Sequence, residues 1–320
     1  MKRRAAVLVP ALLLALFPAT GATFYAELVT KVMILAIFAM SLDLLVGVTG
    51  LVSFGHAAFF GIGAYTLALL SPRYDPAELW PTLVAAVAVS AACAALVGAL
   101  AVRVKGIYFI MVTLAFAQLF YFVFHDTELG RGSDGITMNF KPVWAMGPVK
   151  LLAPERPLHA YYLVYAFLVA TFVFLRVLRT SPFGRALQGI KSNEHRMRSL
   201  GFRVYRYKLA AFALAGGLAG LAGYLSAMQY GFVNPELLSW HQSGAVLVML
   251  ILGGLGSFQG AVIGAFAFAA MQEFFQLLTT HWQLLLGGTI VLVVLLLPGG
   301  LTSVTARLER ALVGGEVGDE

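Results

Sequence analysis

The sequence predicts an all-α, polytopic membrane protein, and three observations carry this prediction. Of its 320 residues, 60% are hydrophobic and only 12% are charged, which is outside the usual range of soluble domains. Its apolar residues form long runs, most of them near the length of about 20 residues that a helix needs to cross a bilayer. Its Lys and Arg residues collect in alternate loops, as the positive-inside rule requires.

Ten apolar runs define the predicted spans of a single transmembrane domain, residues 1–320. The first, at about residues 5–22, follows Met1-Lys-Arg-Arg and fits both a signal peptide and a short retained span; the retained span is preferred. The other nine lie at about 28–48, 51–70, 81–102, 106–124, 160–178, 208–230, 241–256, 258–278 and 281–297.

The charge distribution orients these spans. With both termini in the cytoplasm, 16 of the 22 Lys and Arg residues lie on the cytoplasmic side, and a long periplasmic segment covers about 125–159. The six outside are Lys31, Arg73, Arg131, Lys141, Lys150 and Arg156. Because the net charge of +7 follows loop position, it does not indicate a nucleic-acid partner.

The most polar stretch is a cytoplasmic loop at about 179–208, and the wider segment 175–208 holds nine of the 22 basic residues. Its apolar residues recur at helical spacing between Phe183 and Leu200, Pro182 suits a first helical turn, and Gly201 suits a helix end. We expect a short amphipathic surface helix that offers a face to a partner. A solvated basic loop that only fixes topology fits the same composition.

Two junctions between spans are too short for ordinary loops. Both GVTGLVSFGH and GGLGSFQG are rich in glycine, and both contain Gly-Leu-x-Ser-Phe, at 50–54 and 254–258. Glycine there allows a buried helix break or a tight surface hairpin. Spans 2–5 and 7–10 also form two blocks of similar length, which suggests an inverted repeat.

Few polar groups fall within the spans, and they are the candidates for a translocation pathway. They are Asp43, Ser53, His56, Gln118 and Glu273. Each has a simpler explanation: an interfacial position, helix capping, close packing, or a hydrogen bond between helices. The sequence contains no P-loop, no hydrolase motif and no Cys/His cluster, so it predicts no cofactor, no metal and no catalytic residue.

Four ordered motifs resemble the branched-chain amino-acid ABC transporter permeases of the LivH/LivM family, on the LivM side. They are SLDLLVGVTGLVSFGHAAFFGIGAYT (41–66), GIYFIMVTLAFAQ (106–118), SPFGRALQGIKSNEHRMRSLGFRVYRYKL (181–209) and LVMLILGGLGSFQGAVIGA (247–265). The resemblance implies a subunit of a bacterial inner-membrane importer that works by alternating access. An ion-coupled secondary transporter is the alternative reading of the residues alone.

The resemblance also implies partners: a second permease subunit, two ATP-binding subunits that hydrolyse ATP, and a periplasmic substrate-binding protein. It implies that Phe183, Gly184, Arg185, Glu194 and Gly201 couple the chain to an ATPase. The chain departs from the family pattern at Arg196, Met197 and Ala245. Branched-chain amino acids are the expected substrate, while other amino acids, urea or amides, and small carboxylates remain open.

Overall fold

The computed structural model describes residues 14–20, 23–72, 74–146, 149–152, 157–297 and 299–303. Most of the predicted first span, at 5–22, and the C-terminal tail lie outside the described residues. The helices are α1 (Thr23–Asp43), α2 (His56–Leu70), α3 (Leu79–Ala101), α4 (Ile107–Asp126), α5 (Pro157–Thr180), α6 (Pro182–Ser192), α7 (Glu194–Ser199), α8 (Val204–Tyr230), α9 (Trp240–Gly253), α10 (Phe258–Leu278) and α11 (Trp282–Leu296).

Nine of these helices coincide with the nine predicted spans from residue 28 onward. Six are long and apolar enough to cross a membrane, while α2, α9 and α11 have only 15, 14 and 15 residues. The polytopic all-α prediction is therefore confirmed, and the number ten stays a prediction. The small exceptions to all-α in the described part of the chain are four short strands: β1 (Ile136–Thr137), β2 (Trp144–Met146), β3 (Val149–Leu152) and β4 (Phe232–Val233). Strand β1 pairs with β4, and β2 pairs with β3.

Helices α1 and α8 form the centre of the bundle. Glycines on α8 let its backbone approach its neighbours closely: a Cβ on Gly216 would lie 2.2 Å from Ala94, and one on Gly223 would lie 1.8 Å from the carbonyl oxygen of Phe60. In a membrane, such small residues permit the tight packing that holds helices together. Consequently α8 packs along both α2 and α3.

The packing has the pattern that a repeat of spans 2–5 and 7–10 predicts. Under this repeat α1 corresponds to α8, α2 to α9 and α3 to α10. Helix α8 contacts α2 and α3, and α1 correspondingly contacts α9 and α10. Both central helices also end alike, since α1 continues as a π-helical turn (Leu44–Thr49) to Gly50 at φ +78° and α8 ends at Gly231 at φ +66°. Each is followed by extended chain and a short helix.

The first glycine-rich junction is a buried helix break. The His56 ring lies 2.9 Å from the Ser41 hydroxyl, so α2 begins beside α1 rather than beyond its end. The Phe54 amide donates to Thr113 on α4, and the Ala57 amide donates to Ser243 near the start of α9. These bonds to α4 and α9 satisfy backbone amides that the break leaves without a helical partner, which is how irregular backbone is tolerated inside a membrane protein.

The second junction is a short turn, with Gly254 at φ +112° and Gly256 at φ +80°. It packs directly on the first junction, because a Cβ on Gly47 would lie 2.6 Å from the Cα of Gly256. The two copies of the Gly-Leu-x-Ser-Phe motif lie between α1 and α2 and between α9 and α10. In the repeat, however, the α1–α2 break corresponds to the α8–α9 break, so the motif does not mark equivalent positions. The motif marks two segments that meet.

Candidate functional site

The cytoplasmic loop predicted at 179–208 folds onto the end of the bundle where α1 ends and α8 begins. Ser181 caps α6 by accepting a hydrogen bond from the Gly184 amide at 3.2 Å, and Pro182 occupies the first turn. One face of α6 is buried, through Gly184, Ala186, Leu187 and Ile190. The predicted amphipathic helix is therefore present, and it is packed against the bundle.

Three of the predicted coupling residues lie on the first turn of α6. The Phe183 ring stacks on Tyr207 of α8, with centroids 5.6 Å apart. Position 184 requires glycine because the backbones of α5 and α6 lie close together there: a Cβ on Gly184 would lie 2.1 Å from the carbonyl oxygen of Leu178 on α5. The Arg185 side chain is exposed.

The single helix expected from Phe183 to Leu200 is wrong in one respect: it is broken at Asn193. This residue has extended φ and ψ angles of −155° and 98°, and its side chain caps α7 by accepting from the Arg196 amide at 3.0 Å. An Asn side chain competes with the helix for backbone donors, so the break has a local cause. Beyond it the helical spacing is lost, and Leu200 is exposed instead of buried.

Gly201 closes α7 as predicted, in the left-handed region at φ +85°. Its amide donates to the Arg198 carbonyl and the Phe202 amide donates to the Met197 carbonyl, which together form a Schellman motif. The chain reverses there and enters α8. Leu200 and Phe202 are left on the surface, beside the exposed side chains of Arg203 and Arg206.

Glu194 holds α7 to two other elements. Its carboxylate lies 3.0 Å from the Lys208 ammonium on α8 and 3.1 Å from the Lys105 ammonium in the α3–α4 loop, and it also pairs with Arg198. Burial raises the pKa of this carboxyl, but hydrogen bonds from Lys208 and Lys105, together with their charges, outweigh burial and lower the pKa to about 2. Glu194 is therefore engaged by three basic side chains of its own chain, and its role in coupling to an ATPase stays a prediction.

Two basic side chains link the loop to both glycine-rich junctions. The Lys191 ammonium on α6 donates to the Gly47 carbonyl at 2.6 Å, and the Arg179 guanidinium at the end of α5 donates to the Gly256 carbonyl at 2.7 Å. The Gly256 amide in turn donates to the buried Asp43 carboxylate at 2.8 Å. We call Asp43, Arg179, Lys191, Gly47 and Gly256 the junction clamp.

The pathway candidates do not form one cluster. Asp43 belongs to the junction clamp, and the hydroxyl of the buried Ser53 accepts a hydrogen bond from the Gly55 amide, which shapes the break. His56 is fully buried, bonded to Ser41 and stacked on Phe38 at 5.6 Å. Gln118 is partly exposed on α4, and Glu273 is partly exposed near the far end of α10, where its charge reaches Tyr230.

Sequence reasoning missed the basic members of this site. Arg179, Lys191 and Lys208 are three of nine cations in a loop whose charge was attributed to topology, and spacing does not separate a clamp residue from a solvated one. One signal was present: Lys105 and the two junctions were all predicted on the same side of the membrane as the loop. Among the described residues, no three His, Cys, Asp or Glu side chains could hold a metal ion together.

Comparison with known proteins decides the family. A family model described as "Branched-chain amino acid transport system / permease component" matches residues 24–295. The chain belongs to this permease family. It is 33% identical to the high-affinity branched-chain amino acid transport system permease protein LivM of Salmonella typhimurium, over 92% of this chain and 73% of that protein. LivM of Escherichia coli K12 is 32% identical over 91% of this chain and 73% of its own length.

Other permeases match over a shorter stretch. An autoinducer 2 import system permease protein, LsrC of Klebsiella pneumoniae, is 34% identical over 42% of this chain and 42% of its own length. The xylose transport system permease protein XylH of Escherichia coli K12 is 30% identical over 46% of this chain and 39% of its own. No solved structure matches this permease.

Proposed function

We propose that this permease is a subunit of a bacterial ABC importer that moves branched-chain amino acids across the inner membrane by alternating access. It would pair with a second permease, two ATP-binding subunits and a periplasmic binding protein, with both termini in the cytoplasm. The observation that carries the proposal is the junction clamp, which connects a surface-exposed helical segment to two breaks in the membrane-spanning bundle.

The mechanism follows from the rigidity of that connection. Helix α6 is fixed to α5 by the Gly184 contact and to α8 by the Phe183–Tyr207 stack, so a push on the exposed α7 end moves α6 as a body. Lys191 and Arg179 then act on the Gly47 and Gly256 carbonyls, at places where the helices are already interrupted. Irregular backbone is where membrane helices hinge, so ATPase closure would reorient the spans there.

The exposed surface suits an ATPase cleft that is apolar at its centre and acidic at its rim. Leu200 is 65% exposed, and the exposed side chains of Arg196 and Arg203 lie within four residues of it in the chain; Arg185 is also exposed, on α6. A buried apolar anchor within a charged rim is the usual composition of a specific interface. Complementary rim charges would fix the partner's orientation more than its affinity.

The amino-acid substrate rests on the extent of similarity. The LivM relatives match almost the whole chain, whereas the autoinducer 2 and xylose permeases match less than half of it. An ion-coupled transporter is disfavoured because such a protein needs several carboxylates within its spans, and among the described residues Asp43 is the only carboxylate that is fully buried.

The test is ATP-dependent uptake of radiolabelled leucine in proteoliposomes that contain the full complex. We expect uptake only with binding protein on the side of β1 and β4 and ATP on the side of α6 and α7. Uptake that needs an ion gradient but no ATPase subunit would contradict the proposal and favour the secondary transporter.

A further inference from the structure

A cavity of about 350 Å³ lies towards the end of the bundle where α1 begins and α8 ends, opposite the junction clamp. Its volume falls in the range of about 300–1,000 Å³ that is typical of small-ligand pockets. The cavity exists because α8 stops at Gly231 and α9 starts only at Trp240, so extended chain replaces one helical wall. That segment contributes Phe232, Asn234 and Leu237 to the lining.

Most of the lining is apolar. Ile34 and Leu35 on α1 face Phe60 on α2 and Leu237 of the extended segment. A surface of this kind accepts an aliphatic side chain by displacing water from it, at about 25 cal/mol per Å² of apolar area buried.

The cavity also holds one cation, Lys31. This residue lies eight positions after the start of α1, or about 12 Å along the helix, near the outer end of the predicted span 28–48, on the side to which the charge distribution assigns it. Among the described residues, nothing forms a hydrogen bond or ion pair with its ammonium group. Charged residues within or at the end of a membrane span normally face a ligand, a cavity or a partner, and Lys31 lines this cavity.

Groups of complementary kinds line the same cavity or lie near its wall. The amides of Asn234 and Gln242 line the same cavity and make no side-chain hydrogen bond within the described part of the chain. Tyr230 also lines it, and the carboxylates of Glu27 and Glu273 lie close enough to Tyr230 to act on it electrostatically. A cation, free amides and nearby acids over an apolar floor match the three parts of an apolar α-amino acid.

We infer that this cavity is a substrate site of the permease for a zwitterionic amino acid with an aliphatic side chain. Lys31 binds the carboxylate, Glu27 and Glu273 attract the ammonium, and the apolar floor takes the side chain. This inference rests on the proposed amino-acid import and adds the residues that receive the substrate after its release from the binding protein.

The experiment is substrate protection of a cysteine in the cavity. Leu237→Cys is introduced with Cys93→Ser, and the complete complex without binding protein is labelled with a methanethiosulfonate reagent at increasing leucine concentrations. We expect leucine to slow labelling severalfold, while leucinamide, which lacks the carboxylate, has little effect. Lys31→Met should raise the leucine concentration that gives half protection by about tenfold or more, the loss expected for a charge-assisted hydrogen bond.

Lys31→Arg is the matched control, since it keeps the charge and should keep protection within a few-fold of the parent. Equal protection by leucine and leucinamide, or protection unchanged in Lys31→Met, would overturn the site. ATP-driven leucine uptake by the parent complex is measured in parallel. Uptake without protection removes this site and leaves the importer standing, whereas protection without ATP-driven uptake removes the importer and leaves the site.

Discussion

Gly201 sets the direction in which the chain leaves α7. It has φ +85°, and a Cβ built on it meets no other atom within 4 Å, so any cost of a side chain there comes from the backbone alone. A left-handed conformation costs a β-branched residue about 1–3 kcal/mol. A substitution at Gly201 therefore tests the backbone conformation of the turn without changing its packing.

Gly201→Val should therefore weaken assembly with the ATPase subunits while membrane insertion stays near normal. The strain of about 1–3 kcal/mol is relieved by distorting the α7–α8 turn, which carries Leu200 and Phe202. Co-purification of the ATPase with tagged permease measures the effect. Gly288→Val on α11 is the control, because it also adds a side chain in open space but at a helical φ. Equal losses in both variants would contradict the explanation.

The carboxylate of Glu194 gives the loop a pH dependence. Its folded-state pKa of about 2 lies below its ordinary value of 4.5, so its stabilising contribution is complete above about pH 4.5 and is lost as pH falls towards 2. The difference in melting temperature between parent and Glu194→Gln should be constant from pH 7 to 5 and shrink below 4.5. A difference that grows on acidification would show that the ion pairs do not stabilise the fold.

At the scale of elements, the segment from the start of α6 to the end of α7 shows what sequence reasoning can and cannot provide. The start at Pro182 and the end at Gly201 were predictable, because proline and glycine act through their own backbone. The break at Asn193 depends on a short-range competition for hydrogen bonds, and the burial of Lys208 depends on where α8 lies. The identity of the spans was likewise readable from hydropathy, whereas the meeting of the two junctions is a tertiary contact that no local pattern encodes.

The corner between α5 and α6 can be tested with two glycines of one helix. Gly184→Ala places a Cβ 2.1 Å from the backbone oxygen of Leu178, which cannot move without displacing α5. Gly189→Ala meets the flexible Met197 side chain at 2.9 Å. Both gain helix propensity of up to about 1 kcal/mol. We expect Gly184→Ala to lower both the midpoint temperature of thermal unfolding and the rate of leucine uptake. Gly189→Ala should leave both quantities close to those of the parent. The reverse order would exclude the packing argument.

For the whole molecule, the described contacts between connecting segments fall into two groups, one at each end of the bundle. The pairing of β1 with β4 and the Lys141 bond to the Gln229 carbonyl lie at one end. The Glu194 ion pairs and the junction clamp lie at the other end. Each of these contacts joins loops or helix ends that the alternation of the spans assigns to the same side of the membrane. The fold thus agrees with the predicted alternation, while the choice of cytoplasmic side rests on the distribution of Lys and Arg.

Cysteine labelling in intact cells decides that choice. In a Cys93→Ser background, Ser192→Cys and Ser133→Cys place one exposed thiol at each end of the bundle. A membrane-impermeant maleimide should label the cysteine at position 133 in intact cells, and the cysteine at position 192 only after the membrane is opened. The opposite pattern would move the loop to the periplasm and remove it as an ATPase-binding segment.

The central claim is that the junction clamp transmits ATPase movement to the spans, and the ATP hydrolysed per leucine imported by proteoliposomes tests it most directly. The variant is Arg179→Met with Lys191→Met. The control is Arg176→Met, because the Arg176 side chain is exposed on α5 and forms no hydrogen bond or ion pair within the described part of the chain. We predict an assembled complex in which hydrolysis persists and the ratio rises about tenfold or more, since two charge-assisted bonds are lost. A ratio equal to that of the parent and of Arg176→Met would contradict the account.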